Sequence, residues 1–143
     1  MPNVLFLCTG NYYRSRYAEI VFNSLAAAQG SDWRADSRGL FVTGLNPGPL
    51  AKDTIAALAK LNIPLPQPHR FPRPLAEQDL QRAQHIVAVK EAEHRALLAS
   101  SFPDWVGRVE FWHVHDLDCA GPDEALPGLH QQVVDLLARL TAC

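Results

Sequence analysis

Val4-Leu5-Phe6-Leu7-Cys8-Thr9-Gly10-Asn11-Tyr12-Tyr13-Arg14-Ser15 reads as a strand, a tight turn and the start of a helix. Val4 to Leu7 is an unbroken apolar run, the pattern of a strand buried on both faces, and Cys8 closes it. Gly10 and Asn11 are the residue types that tolerate positive φ. From Arg14 to about Gln29 apolar residues recur at helical spacing (Tyr17, Ala18, Val21, Phe22, Leu25), and Gly30 is the expected stop. A turn that winds into a helix start aims several backbone N–H groups at one point, where the helix dipole adds positive potential. That nest suits a phosphate dianion held by residues 9–15, with Arg14 adding a planar fork to two phosphoryl oxygens. The same field favours negative charge on the Cys8 sulfur, which makes Cys8 the candidate nucleophile. Ser15 can hydrogen-bond the sulfur and ease its departure. Free cysteine also packs well in cores, but Gly10, Asn11, Arg14 and Ser15 together argue for the chemical reading.

Working outward, Trp33 to Ser37 reads as a second strand, and Asn46-Pro47-Gly48-Pro49 as a loop. Ile55, Leu58, Ala59 and Asn62 trace a helix that begins near Leu50 and ends before Pro64. Leu65 to Pro74 is proline-rich and expected to be irregular surface. Leu75 to Gln84 reads as a short helix, His85 to Val89 as a third strand, Glu91 to Ala99 as a helix and Val109 to Val114 as a fourth strand. Glu124 to Leu140 reads as a closing helix, begun irregularly at Pro127 and Gly128, with Leu129, Val133, Leu136, Leu137 and Leu140 on one face. Strands alternating with helices predict an α/β fold, a parallel sheet with helices on both faces. Ligands bind beyond the carboxyl ends of such strands. Cys8, Ser37, Lys90 and His115-Asp116 all fall near predicted strand ends.

The chain has 143 residues, 48% hydrophobic and 20% charged, with a net charge of -2. One domain over residues 1–143 is expected, large enough to hold a core without metal or disulfide. The charge gives no reason to expect nucleic acid or an anionic membrane as partner. Three cysteines, Cys8, Cys119 and Cys143, do not form a disulfide framework and point to a reducing compartment. No stretch approaches the roughly 20 apolar residues needed to span a bilayer. A cytoplasmic monomer is the expectation.

The stretch from Val4 to Ser15, followed by Ala18-Glu19 and Val21-Phe22, resembles the low-molecular-weight protein tyrosine phosphatase family, which shares its fold with thioredoxin-coupled arsenate reductases. Ser37-Arg38-Gly39 resembles the family's Ser-Ala-Gly after the second strand and makes Ser37 a supporting residue. Gly48-Pro49 before a helix and His69 ahead of a strand are also similar. The resemblance implies a three-layer sandwich around a four-stranded parallel sheet, a phosphocysteine intermediate, no metal and no cofactor. It implies a phosphorylated protein or peptide as partner, and hydrolysis of phosphotyrosine. It also implies an acid in an Asp-Pro pair after the last strand. Here that segment reads His113-Val114-His115-Asp116-Leu117-Asp118-Cys119, without the proline. Asp116 is the first candidate for the proton donor and Asp118 the second.

Other departures bear on the substrate. One of Tyr12 and Tyr13 is expected to wall the pocket and stack on a substrate ring, with Tyr13 the one expected to pack inward. Arg16 replaces a proline common in relatives and reads as a recruiting charge or a solvated helix residue. Lys90 stands where relatives tend to be acidic. His113, His115, Asp116 and Cys119 lack the compact second cluster a metal site needs. Three alternatives remain open. Arsenate reduction needs relay cysteines, and 81–98 contains none. Phosphoarginine hydrolysis goes, in relatives, with a small hydroxyl residue where Tyr12 sits. The third is a non-catalytic module binding phosphate or phosphoproteins. Tyr13 also occupies the place of a second cysteine that protects the nucleophile in many relatives. Peroxide inactivation should therefore reverse poorly on dithiothreitol treatment. Full recovery after prolonged exposure would show that another thiol, such as Cys119, resolves the oxidised sulfur.

Overall fold

The computed structural model describes residues 2–46, 48–66, 70–114 and 122–142, with the side chains of 122–124 excepted. Its elements follow the chain as β1 (Asn3–Cys8), α1 (Arg14–Ala28), β2 (Arg34–Gly39), α2 (Lys52–Lys60), α3 (Glu77–Arg82), β3 (His85–Ala88), α4 (Glu91–Ser101), a 3₁₀ segment (Pro103–Arg108), β4 (Glu110–Phe111) and α5 (Pro122–Thr141). The strands form one parallel sheet in the order β2-β1-β3-β4. This is the four-stranded parallel sheet between two helical layers that the sequence led us to expect.

β1 is central, and its alternation supplies both cores. Val4, Phe6 and Cys8 join Tyr17, Val21 and Phe22 of α1, Leu58 of α2, and Leu129, Val133, Leu136 and Leu137 of α5 in the larger core. Leu5 and Leu7 point the other way, toward Leu80 of α3, Leu98 of α4 and Trp105. Residues 4–8 are all buried, which explains why they read as an unbroken apolar run.

The strand order creates a divide between β1 and β3. After β1 the chain turns to the face of α1; after β3 it turns to the opposite face, where α4 packs. The loops leaving these neighbouring strands diverge, and open a crevice at their carboxyl ends.

Boundaries differ from expectation for local reasons. β2 runs to Gly39 because it pairs in register with β1 as far as Cys8. Gly30 ends α1 at φ +68, with Ser31 N–H bonded to the Ala26 carbonyl and Gly30 N–H to that of Ala27. Asn62 is no part of α2. It stands at φ +57 beyond the last turn, and Ile63 N–H returns to Leu58, the same closing motif with asparagine in place of glycine. Pro127 does not begin α5 but lies within it, in its first turns. β4 is shorter than the apolar pattern suggested; beyond it the chain is held by Trp112 N–H on the Ala88 carbonyl and Val114 N–H on that of Val89. Among the described residues no helix is long and apolar enough to cross a membrane.

Phe6 is fully buried, its ring 6.1 Å from Phe22 and 5.8 Å from Trp112. Phe6→Ala should cost about 3–5 kcal/mol of unfolding free energy in urea. A loss below about 1 kcal/mol would mean that β1 is not the centre of the core.

Candidate active site

The loop after β1 is built around Asn11. Its backbone is left-handed, at φ +52, and its side chain is fully buried. Every hydrogen-bonding position of the amide is used. Nδ2 donates to Ser15 Oγ and to Ser37 Oγ, each at 2.9 Å. Oδ1 accepts from Arg70 NH1 at 2.9 Å and from the Arg73 backbone N–H at 3.0 Å. The Asn11 backbone N–H donates to Cys8 Sγ at 3.3 Å.

This arrangement aims a hydroxyl at the sulfur. Ser15 Oγ lies 2.9 Å from Cys8 Sγ. Because that oxygen already accepts from Asn11, its own proton is free to point at the sulfur. Cys8 is buried at the end of β1, between the Ser15 hydroxyl and the Asn11 amide.

Ser37 and Arg70, which bind Asn11, are themselves held by Glu19. Ser37 Oγ donates to Glu19 Oε1 at 2.5 Å and accepts from Arg70 NH2 at 2.8 Å. Arg70 also pairs with Glu19 at 3.0 Å and reaches the Ser37 carbonyl at 2.9 Å. Burial raises the Glu19 carboxyl above the usual range, against the pull of Arg70, Ser37 and Arg16. Arg16 is neither solvated nor displayed, as its sequence position suggested. It is buried, donates to the Pro49 carbonyl at 2.9 Å and lies 3.8 Å from Glu19. Burial and the nearby Arg70 charge lower its guanidinium to about 10.

Arg14, the first residue of α1, is buried on the opposite side of the loop. NH1 donates to Glu93 Oε2 at 3.2 Å and to the Val114 carbonyl at 3.1 Å, and NH2 donates to Glu93 Oε1 at 3.0 Å. The Thr9 hydroxyl donates to the same Glu93 oxygen. His94 Nδ1 accepts from the Lys90 N–H at 3.1 Å, so Nε2 carries the ring proton and faces Thr9 Oγ1 at 3.1 Å. Burial, then the Arg14 charge, holds His94 down to about 4 and keeps it neutral. Burial would raise Glu93, but the hydrogen bonds from Arg14 and Thr9 hold it near 2.

The Tyr12 and Tyr13 backbones hold the loop to α2 and α1. The Tyr12 carbonyl accepts from Ala51 N–H at 3.1 Å, and that of Tyr13 accepts from Tyr17 N–H at 3.0 Å and the Thr54 hydroxyl at 3.1 Å. These bonds tie the start of α2 to the loop. The Tyr13 side chain is buried in the larger core, whereas Tyr12 is half-buried against it. Gly10 approaches Asn46, whose Nδ2 would lie 3.5 Å from any added Cβ. Asp116 and Asp118, with His115 and Cys119, lie outside the described residues, as do His69 and Pro47.

Residues 3–140 match the family described as low molecular weight phosphotyrosine protein phosphatase. The chain belongs to this family. A protein-arginine-phosphatase of Bacillus subtilis (strain 168) is 30% identical over 100 residues; the match covers 70% of this chain and spans 63% of that relative's length. A low molecular weight protein tyrosine phosphatase from T. tengcongensis has 29% identity and a TM-score of 0.75, over 94% of this chain and 99% of that one. A YwlE mutant from Bacillus subtilis shares the fold, with a TM-score of 0.83 at 24% identity over 99% and 100% of the two chains.

Within this phosphatase fold, the structure brings Cys8, Asn11, Ser15 and Ser37 together through hydrogen bonds. Glu93, His94, Arg70 and Glu19 were not anticipated. Glu93 left one signal: it lies in the first turn after a strand, at the same sheet edge as Cys8. Arg70 left none beyond being a charge inside a proline-rich stretch. Gly39 has a stricter reason than conformational freedom. A Cβ there would lie 2.5 Å from Val42 Cγ2, 2.8 Å from the Thr9 carbonyl and 3.1 Å from Asn11 Cβ. Its own N–H and carbonyl are pinned to Arg73 and Leu75 at 2.8 Å each, so β2 cannot retreat. Gly39→Ala should lower unfolding free energy by about 1–3 kcal/mol and weaken binding of inorganic phosphate. Unchanged urea and calorimetric titrations would contradict that close packing.

Proposed function

We propose that this chain is a cysteine-dependent phosphatase that removes phosphate from phosphotyrosine in proteins or peptides. The observation that carries the reading is Cys8 Sγ held between the Ser15 hydroxyl and the Asn11 N–H at the carboxyl end of β1, with Arg14 buried at the start of the helix that follows. Sulfur attacks phosphorus, the phosphorus–oxygen bond to the aryl group breaks, and Asp116 gives its proton to the leaving phenolate. Water then attacks the phosphocysteine, the sulfur–phosphorus bond breaks, and Asp116 takes the proton from water. The Ser15 hydroxyl stabilises the sulfur as it leaves. No metal enters either step.

Asp116 is chosen on position. It stands two residues after Val114, whose carbonyl accepts from Arg14. Tyr12 supports the aryl substrate. Its half-buried ring flanks the loop where relatives acting on phosphoarginine carry a small hydroxyl residue. The 30% identity to a protein-arginine-phosphatase favours a second reading, phosphoarginine, with the same nucleophile. The thiol chemistry suits a reducing cytoplasm, and the reading needs only the phosphorylated substrate as partner.

A panel of phosphotyrosine, phosphoarginine and phosphoserine peptides, read as kcat/KM, tests the proposal. Phosphotyrosine should lead by about tenfold or more, and Cys8→Ser should release no phosphate. Preference for phosphoarginine would establish the second reading, and turnover by Cys8→Ser would remove the nucleophile. On aryl phosphate, Asp116→Asn should lower kcat by about 100-fold or more, and Asp118→Asn should change it little. The reverse pattern transfers the proton to Asp118.

A further inference from the structure

Arg14 has a long side chain with roughly 2 kcal/mol of rotamer entropy, yet a phosphate fork works only in one plane. Something must hold that plane before substrate arrives. Partners of the guanidinium among the described residues include Glu93 on α4, behind β3, and the Val114 carbonyl beyond β4.

The Glu93 contact is bidentate. Two carboxylate oxygens face two guanidinium nitrogens, at 3.2 and 3.0 Å, a geometry that sets the plane of the fork as well as its distance. Glu93 is itself fixed. The Thr9 hydroxyl donates to Oε1, and His94 Nε2 lies 3.5 Å from that oxygen. His94 is locked in turn by the Lys90 N–H. The chain of contacts therefore runs from the helix start at Lys90 through His94 and Glu93 to both Thr9 and Arg14. It couples the second residue of the loop to the arginine that closes the loop.

Electrostatics point the same way. A buried guanidinium without a counterion is costly. Glu93 remains ionised down to about pH 2, so the pair persists through the working range.

We propose that Glu93 is the positioning residue for Arg14: its carboxylate on α4 orients the guanidinium and ties it through Thr9 to the loop, so that phosphate recognition depends on this acid. The proposal rests on the phosphatase reading of the loop, but its test does not need turnover. Glu93 touches the arginine and not the reacting atoms.

The experiment is calorimetric titration of wild type, Glu93→Ala and Glu93→Gln with inorganic phosphate at neutral pH, beside kcat and KM for an aryl phosphate. Glu93→Ala should weaken phosphate binding by about 10- to 100-fold and raise KM more than it lowers kcat. Glu93→Gln keeps the shape but sets an amide N–H₂ against a guanidinium nitrogen, and should lie between Glu93→Ala and wild type. A merely structural role would lower the binding stoichiometry or the melting temperature and leave the dissociation constant of the folded fraction unchanged. If Glu93→Ala fails to fold, a several-fold weakening in Glu93→Gln decides the matter alone. Phosphate affinity within about twofold of wild type in both variants overturns the proposal. Tighter binding also overturns it, because the carboxylate would then be a competitor for the fork. If wild type binds phosphate but hydrolyses nothing, only the enzymatic reading falls; if it binds none, both fall.

Discussion

The side chain of Asn11 holds the loop after β1 in a backbone conformation that most residues avoid. A left-handed residue costs on the order of 1 kcal/mol or more. Four hydrogen bonds to the buried amide, each worth about 1 kcal/mol net, offset that cost. The consequence is chemical. With Asn11 turned this way, its N–H meets the Cys8 sulfur and its amide turns the Ser15 proton toward the same atom. Loss of the Asn11 side chain would leave Arg70 and Ser37 with unmet partners as well as freeing the loop. Cys8, its hydroxyl partner and the buried charge cluster thus form one structural unit.

Sheet topology explains why the other half of the site is assembled from distant parts of the chain. β3 is the neighbour of β1, and the chain leaves the two strands toward opposite faces. Thr9 and Glu93, 84 residues apart, meet across that divide. β4 lies next to β3, so Val114 reaches Arg14 over a separation of 100 residues. One guanidinium gathers the ends of three strands.

Much of this was legible in the sequence, and the limits have physical causes. β1 was readable because a central parallel strand is apolar on both faces, and the loop was readable because positive φ, an anion nest and a helix start each demand particular residue types at close spacing. Asn62 was misread as helical because an asparagine at helical spacing looks the same whether it continues a helix or closes it. Arg16 was misread because charge normally marks the surface; only the fold shows Pro49 and Glu19 waiting for it. Arg70 left no signal, and Glu93 only its place just after a strand, for a different reason. Their importance arises from contacts of 59 and 79 residues in sequence separation, and no local pattern encodes these. Lys90 stood out as a departure from the family, yet among the described residues a carboxylate that pairs with Arg14 is on Glu93, three residues further on.

The central claim is that this loop stabilises an oxyanion directly against the Cys8 sulfur. A crystal structure of the protein grown in inorganic phosphate tests it most directly. The account predicts an anion cradled by the loop, with Arg14 forked onto two of its oxygens, the Cys8 sulfur facing phosphorus and Asn11 still left-handed. An anion bound elsewhere, or a loop left vacant with Arg14 turned away from it, would contradict the account.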